Sequence, residues 1–179
     1  MRHRFETEKF RLLTPPKSTR LIRTKTVRFL LQAIEHSEKS LNDGRLGPFG
    51  AVIVRNGEVV GQGWNQVVAS QDPTAHAEIV AIRDACRRMA THNLEGGTLY
   101  TSCEPCPMCL SAAYWARLER IVYAATRQDA AAAGFDDLFI YEELSKEPGK
   151  RKLLMEQDLQ NEAQKVFRRW IAMPERILY

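Results

Sequence analysis

Three side chains able to hold a metal and one carboxylate able to move protons sit close together in the middle of this chain. His76 and Glu78 are separated by Ala77 alone, and Cys103-Glu104-Pro105-Cys106-Pro107-Met108-Cys109 follows about thirty residues later. A hydrolytic zinc needs three protein ligands, an open position for water and a nearby base. His76, Cys106 and Cys109 supply the ligands and Glu78 the base, so one Zn2+ per chain is expected.

The spacing has a physical reading. Pro105 and Pro107 mark the start of a helix, with Pro107 in its first turn. Cys106 and Cys109 then share one face near the N-terminus, where the helix dipole favours thiolate over thiol. His76 and Glu78 fall at the start of another helix. There the two-residue step lets His76 bind metal while Glu78 approaches the open position from the side.

A closed Cys₃His site using Cys103 is the structural alternative. Glu104 precedes a proline and is expected to be extended, which leaves Cys103 at a strand end and off the helical face. A closed site would also give Glu78 no task. Cys103 is therefore read as packing and Cys86 as a core thiol.

These residues form the His-x-Glu and Pro-Cys-x-x-Cys pattern of zinc deaminases. Zinc lowers the pKa of bound water from about 15.7 to near 7, removing roughly 12 kcal/mol at about 1.36 kcal/mol per unit. The expected reaction is attack of that hydroxide on an amidine carbon of a heterocycle. Glu78 takes the water proton, passes it to the ring nitrogen and helps ammonia leave.

The flanking pattern supplies the scaffold. From about Ser18 a helix is expected, with Val27, Leu30, Leu31, Ile34 and Leu41 on one stripe, ending at Asn42-Asp43-Gly44. Strands are expected over Phe49 to Val54 and Glu58 to Trp64, and Asn56-Gly57 between them predicts an antiparallel hairpin. Gln66 to Gln71 reads as polar loop, and the helix after Asp72-Pro73-Thr74 runs to about Met89.

A third strand covers Thr98 to Ser102, the cysteine helix reaches about Leu118, and a fourth strand covers Arg120 to Ala124. An Ala-rich helical turn spans Gln128 to Ala133. Pro148-Gly149 is a break, and a last helix covers Leu153 to Ile171. The order predicts an α/β fold, a mixed sheet with helices on its faces.

Composition excludes several classes. At 179 residues, 44% hydrophobic and 27% charged, the chain reads as one soluble globular domain. No apolar run approaches the roughly 18 residues of a membrane span, and the N-terminus lacks an apolar leader. With three cysteines at three-residue steps, a cytoplasmic, metal-binding chain is expected rather than a disulfide framework.

The net charge is +4, yet residues 1–28 carry nine Lys or Arg against two Glu, a surplus of seven, so the rest sums to −3. The basic balance thus belongs to the first 28 residues, of which 1–20 read as an N-terminal arm. That arm could touch nucleic acid or serve as a solvated or dimer-packing extension. The domain behind it does not suit a nucleic-acid substrate.

The chain resembles the bacterial guanine deaminases of the cytidine-deaminase-like fold. The resemblance rests on Pro48-Phe49-Gly50-Ala51-Val52-Ile53-Val54, Asp72-Pro73-Thr74-Ala75-His76-Ala77-Glu78 and Tyr100 to Cys109. It continues through Tyr114-Trp115-Ala116-Arg117, Ala132-Ala133-Gly134-Phe135-Asp136-Asp137, Trp170 and Tyr179. It implies a three-layer α/β/α domain over residues 21–145 and a C-terminal segment, 146–179, exchanged onto the partner of a homodimer.

The resemblance further implies a small purine base as substrate, converted from guanine to xanthine. Asp137 would clamp the base, Asn65 would be its amide partner, and Phe49 and Trp115 would form apolar walls. Ala77 would also contact the base, and Tyr179 would close the partner's site. Glu142 is a second candidate proton shuttle. Two other readings stay open: a related deaminase acting on another aminated heterocycle or tRNA adenosine, and a non-catalytic zinc-stabilised binding module.

Overall fold

The computed structural model describes residues 17–178, with side chains from residue 26 onward. The basic arm over residues 1–20 therefore lies almost wholly outside the described residues, and so does Tyr179. The chain divides into two compact units, meeting between Leu138 and Phe139.

The first unit is built on a four-stranded sheet of order β2-β1-β3-β4. Its strands are β1 (Gly50–Arg55), β2 (Glu58–Trp64), β3 (Gly97–Cys103) and β4 (Arg120–Ala125). β1 pairs antiparallel with β2 and β3, while β3 and β4 run parallel. The expected mixed sheet, opened by an antiparallel hairpin, is what forms. At the turn Asn56 and Gly57 both take positive φ, 54° and 83°, the backbone that an Asn-Gly hairpin turn requires.

Alternation along β1 sets the layers. Ala51 and Ile53 point to a cluster with Ala77, Ala81 and Ala85 of α3 (Ala77–Met89). Val52 and Val54 point the other way, to Phe29 and Ala33 of α1 (Lys17–Ser37). A strand buried on both faces is apolar throughout, and a three-layer α/β/α domain follows. α3 lies close on β2 because Gly61 and Gly63 face it. A Cβ on Gly63 would stand 2.4 Å from the Ala77 carbonyl oxygen.

Several boundaries differ from expectation. The buried face of α1 is Phe29 and Ala33, whereas Val27, Leu31 and Leu41 are exposed. Here small Ala33 meets Gly50, and a phase that admits close backbone approach wins over one that buries more leucine. A 3₁₀ turn, Glu38–Asn42, follows α1. Within the expected loop after β2, Val67–Ser70 forms one helical turn, α2. Asn65 Oδ1 accepts from the Val67 N–H at 3.2 Å, and Ser70 Oγ donates to the Gln66 carbonyl at 2.7 Å.

The cysteine helix, α4 (Pro107–Trp115), stops short of Leu118. Arg117 turns left-handed at φ 60°, which brings Leu118 back onto the core cluster. α5 covers Arg127–Ala132 and α6 covers Asp137–Ser145, the latter not expected.

In the second unit the last helix, α7, is Gln160–Ile171 and does not begin at Leu153. The preceding segment bonds to side chains in place of a helical ladder. Arg151 donates to the Lys146 and Leu144 carbonyls, and the Lys152 N–H donates to Glu143. No residue of α7 is buried, and Val166, Phe167 and Ile171 are largely exposed. Among the described residues no helix is long and apolar enough to cross a membrane.

Candidate active site and metal centre

Both ligand-bearing turns lie where a helix begins. His76 is the residue before α3, with an extended backbone at φ −67° and ψ 154°. Cys106 stands in the same position before α4, at φ −64° and ψ 167°, followed by Pro107 as the first helical residue. Neither side chain caps its own helix; both turn toward each other. His76 is thus outside the helical turn expected for it, and that extended residue is what lets Glu78 stand beside it at a two-residue step.

Ligand atoms of His76, Cys106 and Cys109 lie within 4.8 Å of one another. Cys106 Sγ is 3.6 Å from His76 Nδ1. A tetrahedral zinc with bonds of about 2.3 Å to sulfur and 2.0 Å to nitrogen needs S···N edges of about 3.5 Å. The residues therefore fit that ion, two soft sulfurs and one imidazole being a borderline-soft donor set.

The electrostatics agree. A hydrogen bond from Cys109, with those of His76, draws the Cys106 thiol down to about 4, against burial. Cys109 is pushed far upward, first because Cys106 holds its proton in place and then by burial. Two adjacent buried thiolates need a cation, and without one the pair keeps a proton. His76 is raised, chiefly by its hydrogen bond to Cys106.

Cys103 takes no part. It is buried at the end of β3, donates to the Thr126 carbonyl at 3.4 Å and is raised to about 11 by burial. Cys86 packs partly buried against the main core cluster.

The cluster opens onto a cavity of about 330 Å³ inside the first unit. Glu78 lines it from α3, and burial raises its carboxyl above the usual range. Asn65, just after β2, is buried and also lines the cavity. With Oδ1 accepting from Val67, its carboxamide nitrogen is the group with donors to offer. Asp137 lines the cavity at the first residue of α6, its carboxyl raised by burial and then by Cys106.

Phe49 and Phe135 meet edge to face there, ring centroids 4.7 Å apart. Thus His76, Glu78, Asn65, Cys106, Asp137 and Phe49 come together around one space. Ala77 does not line it; its side chain sits in the core against β2. Trp115 is 64% exposed at the far end of α4 and is also absent from the lining. Glu142 is exposed on α6, in the second unit.

Sequence reading missed two groups. Phe135 is the second aromatic wall, and its place in Gly134-Phe135-Asp136-Asp137 was the available signal. Glu104 also lines the cavity, its carboxylate accepting from Arg127 through the backbone N–H at 3.1 Å, Nε at 3.1 Å and Nη2.

Residues 23–125 match the model of the cytidine and deoxycytidylate deaminase zinc-binding region. The chain belongs to this family. It is 49% identical over 142 residues to the guanine deaminase of Bacillus subtilis (strain 168), covering 79% of this chain and 91% of that protein. A crystal structure of guanine deaminase from Bacillus subtilis superposes with a TM-score of 0.81 at 46% identity, covering 86% and 98% of the two chains. A tRNA-specific adenosine deaminase of Aquifex aeolicus is 42% identical over 97 residues, 54% of this chain and 64% of that protein. Within the family, the His-Cys-Cys cluster of this chain is its zinc-binding site, holding one ion per chain.

Proposed function

We propose that this chain hydrolyses guanine to xanthine and ammonia. One observation carries the reading: the zinc-binding cluster and buried Glu78 share a single cavity with a carboxylate, Asp137, and a carboxamide, Asn65. Guanine presents N1–H and an exocyclic amine as adjacent donors, and O6 and N7 as acceptors. Asp137 accepts from the donor edge and turns C2 toward the cluster. Asn65 donates from its carboxamide nitrogen to the acceptor edge, and the packed pair Phe49 and Phe135 forms one apolar wall against the ring. The likeness to guanine deaminases over nearly the whole length of those proteins supports the same substrate.

His76, Cys106 and Cys109 would hold the zinc, which would supply a water made acidic near neutral pH. Glu78 does the proton work. Its carboxylate takes a proton from the attacking water and delivers it to N3, the unprotonated ring nitrogen beside C2. It then moves a second proton to the departing amine, so that guanine and water give xanthine and ammonia and Glu78 ends as it began. Burial suits the task, because a carboxyl raised above its ordinary range is a stronger proton acceptor than an exposed one.

The second unit supports a homodimer with an exchanged tail. Val166, Phe167, Trp170 and Ile171 fall on one face of α7 and offer apolar surface for a partner. The four free cysteines suit a reducing, cytoplasmic setting. Ammonia release from guanine by zinc-loaded protein, against adenine, cytosine and guanosine, tests the substrate.

A further inference from the structure

We propose that Thr101 is a positioning residue for the deamination, holding Glu78 by one carboxylate oxygen so that the other carries the proton. The reaction it serves is the guanine deamination proposed above; the contact itself stands without that reading.

Thr101 is completely buried in the centre of the sheet, opposite Ala51 of β1 and Tyr123 of β4. Along β3, Leu99 points into the apolar cluster beneath α3, and Thr101, two residues on, projects to the same face. Valine has nearly the same shape and would satisfy the apolar surroundings. A hydroxyl in such a place is costly unless it is bonded, and Thr101 Oγ1 donates to Glu78 Oε1 at 3.0 Å. The hydroxyl is therefore accounted for by Glu78 and not by packing.

The consequence concerns which oxygen works. An ionised carboxylate only accepts, so Thr101 must donate to Oε1. While that bond lasts, a proton arriving from the cavity is taken up at Oε2. Terminal torsions of glutamate are broad and roughly two-fold, and with the Thr101 donor gone from beside the Glu78 backbone N–H the carboxylate turns more freely and the two oxygens exchange roles. Each turnover needs Glu78 to receive and return a proton twice, so the loss falls on the catalytic steps and not on binding of the base.

The test compares zinc-loaded Thr101→Val and Thr101→Ser with the parent chain. Thr101→Val is expected to lower kcat about tenfold, a fraction of what a general base contributes, with KM for guanine and zinc content unchanged. Thr101→Ser restores kcat. In a Glu78→Gln background Thr101→Val costs nothing further, which a merely structural role would not give.

A second readout needs no substrate. The carboxylate stretch of Glu78, isolated by ¹³C-glutamate labelling and subtraction of the Glu78→Gln spectrum, should shift in Thr101→Val and stay put in Thr101→Ser. Should Thr101→Val not fold, Thr101→Ala removes the same donor and is read the same way. An unshifted band with unchanged kcat overturns the proposal, as does equal loss in the valine and serine variants. If the parent chain does not deaminate guanine, the substrate reading falls while the infrared comparison still decides Thr101.

Discussion

Glu104 and Arg127 fasten the turn carrying the metal ligands to the helix that leads to Asp137. Glu104 lies two residues before Cys106, and Arg127 is the first residue of α5. Three donors of Arg127 converge on the one carboxylate. The backbone is pinned as well, with the Glu104 N–H donating to the Ala125 carbonyl at 2.8 Å. From α5 the chain turns at Gly134 into Phe135 and Asp137, both on the cavity wall.

This pair predicts a stability that depends on pH. The hydrogen bonds of Arg127 hold the Glu104 carboxyl below its ordinary 4.5, against burial. The folded chain thus takes up that proton less readily than the unfolded chain. The contribution is complete above pH 4.5 and is lost as pH falls through the lowered value. Glu104→Gln should cost about 1–2 kcal/mol in urea melts at pH 7, in the range of hydrogen bonds to charged groups. The gap should close in acid; a gap constant from pH 7 to pH 3 contradicts the assignment.

Metal removal is expected to loosen the first unit. Two turns from different helices meet at His76, Cys106 and Cys109, so the ion stabilises the folded chain by mass action. Free zinc about 100-fold above its Kd adds about 2.7 kcal/mol, some 5–10 °C in Tm for a chain of this size. Calorimetry before and after chelation measures it. An unchanged Tm, with zinc shown to be absent, would rule the centre out as a structural tie.

Much of this site was legible before the fold was known, and the reason is local. His76, Glu78, Cys106 and Cys109 lie in two short turns whose prolines and spacing fix where their helices begin. The Asn56-Gly57 hairpin was equally readable, because only certain residues accept that backbone. Packing phase was not. The choice of Phe29 and Ala33 over Val27 and Leu31 on α1 depends on Gly50, in a strand beyond the following turn. Thr101 was illegible for the same reason, since its partner is twenty-three residues away and the strand around it reads as ordinary core.

Asp137 is expected to act on binding and orientation together. Asp137→Ala should raise KM for guanine and lower kcat, reducing kcat/KM about 10²-fold or more. An unpaired buried donor on the substrate costs about 1–3 kcal/mol per group, and misorientation of C2 adds to it. Steady-state kinetics on guanine settle the matter, and full turnover by the variant would remove the clamp from the account.

The proposed exchange of the tail makes a separate forecast. A chain ending at Met173 keeps α7 but loses the last six residues, Tyr179 among them. It should remain dimeric by light scattering and lose most of its guanine turnover, as removal of a lid that excludes water would do. A fully active truncated chain, or a monomeric parent chain, would refute the exchange.

Glu78 is expected to move the protons of a zinc-dependent guanine deamination. The direct measurement is ammonia release from guanine by parent and Glu78→Gln chains, both shown to hold one zinc. The parent should turn over and the variant should lose at least about 10²-fold, the usual contribution of a general acid–base. Near-normal turnover by zinc-replete Glu78→Gln, or no ammonia from guanine with the parent chain, would contradict it.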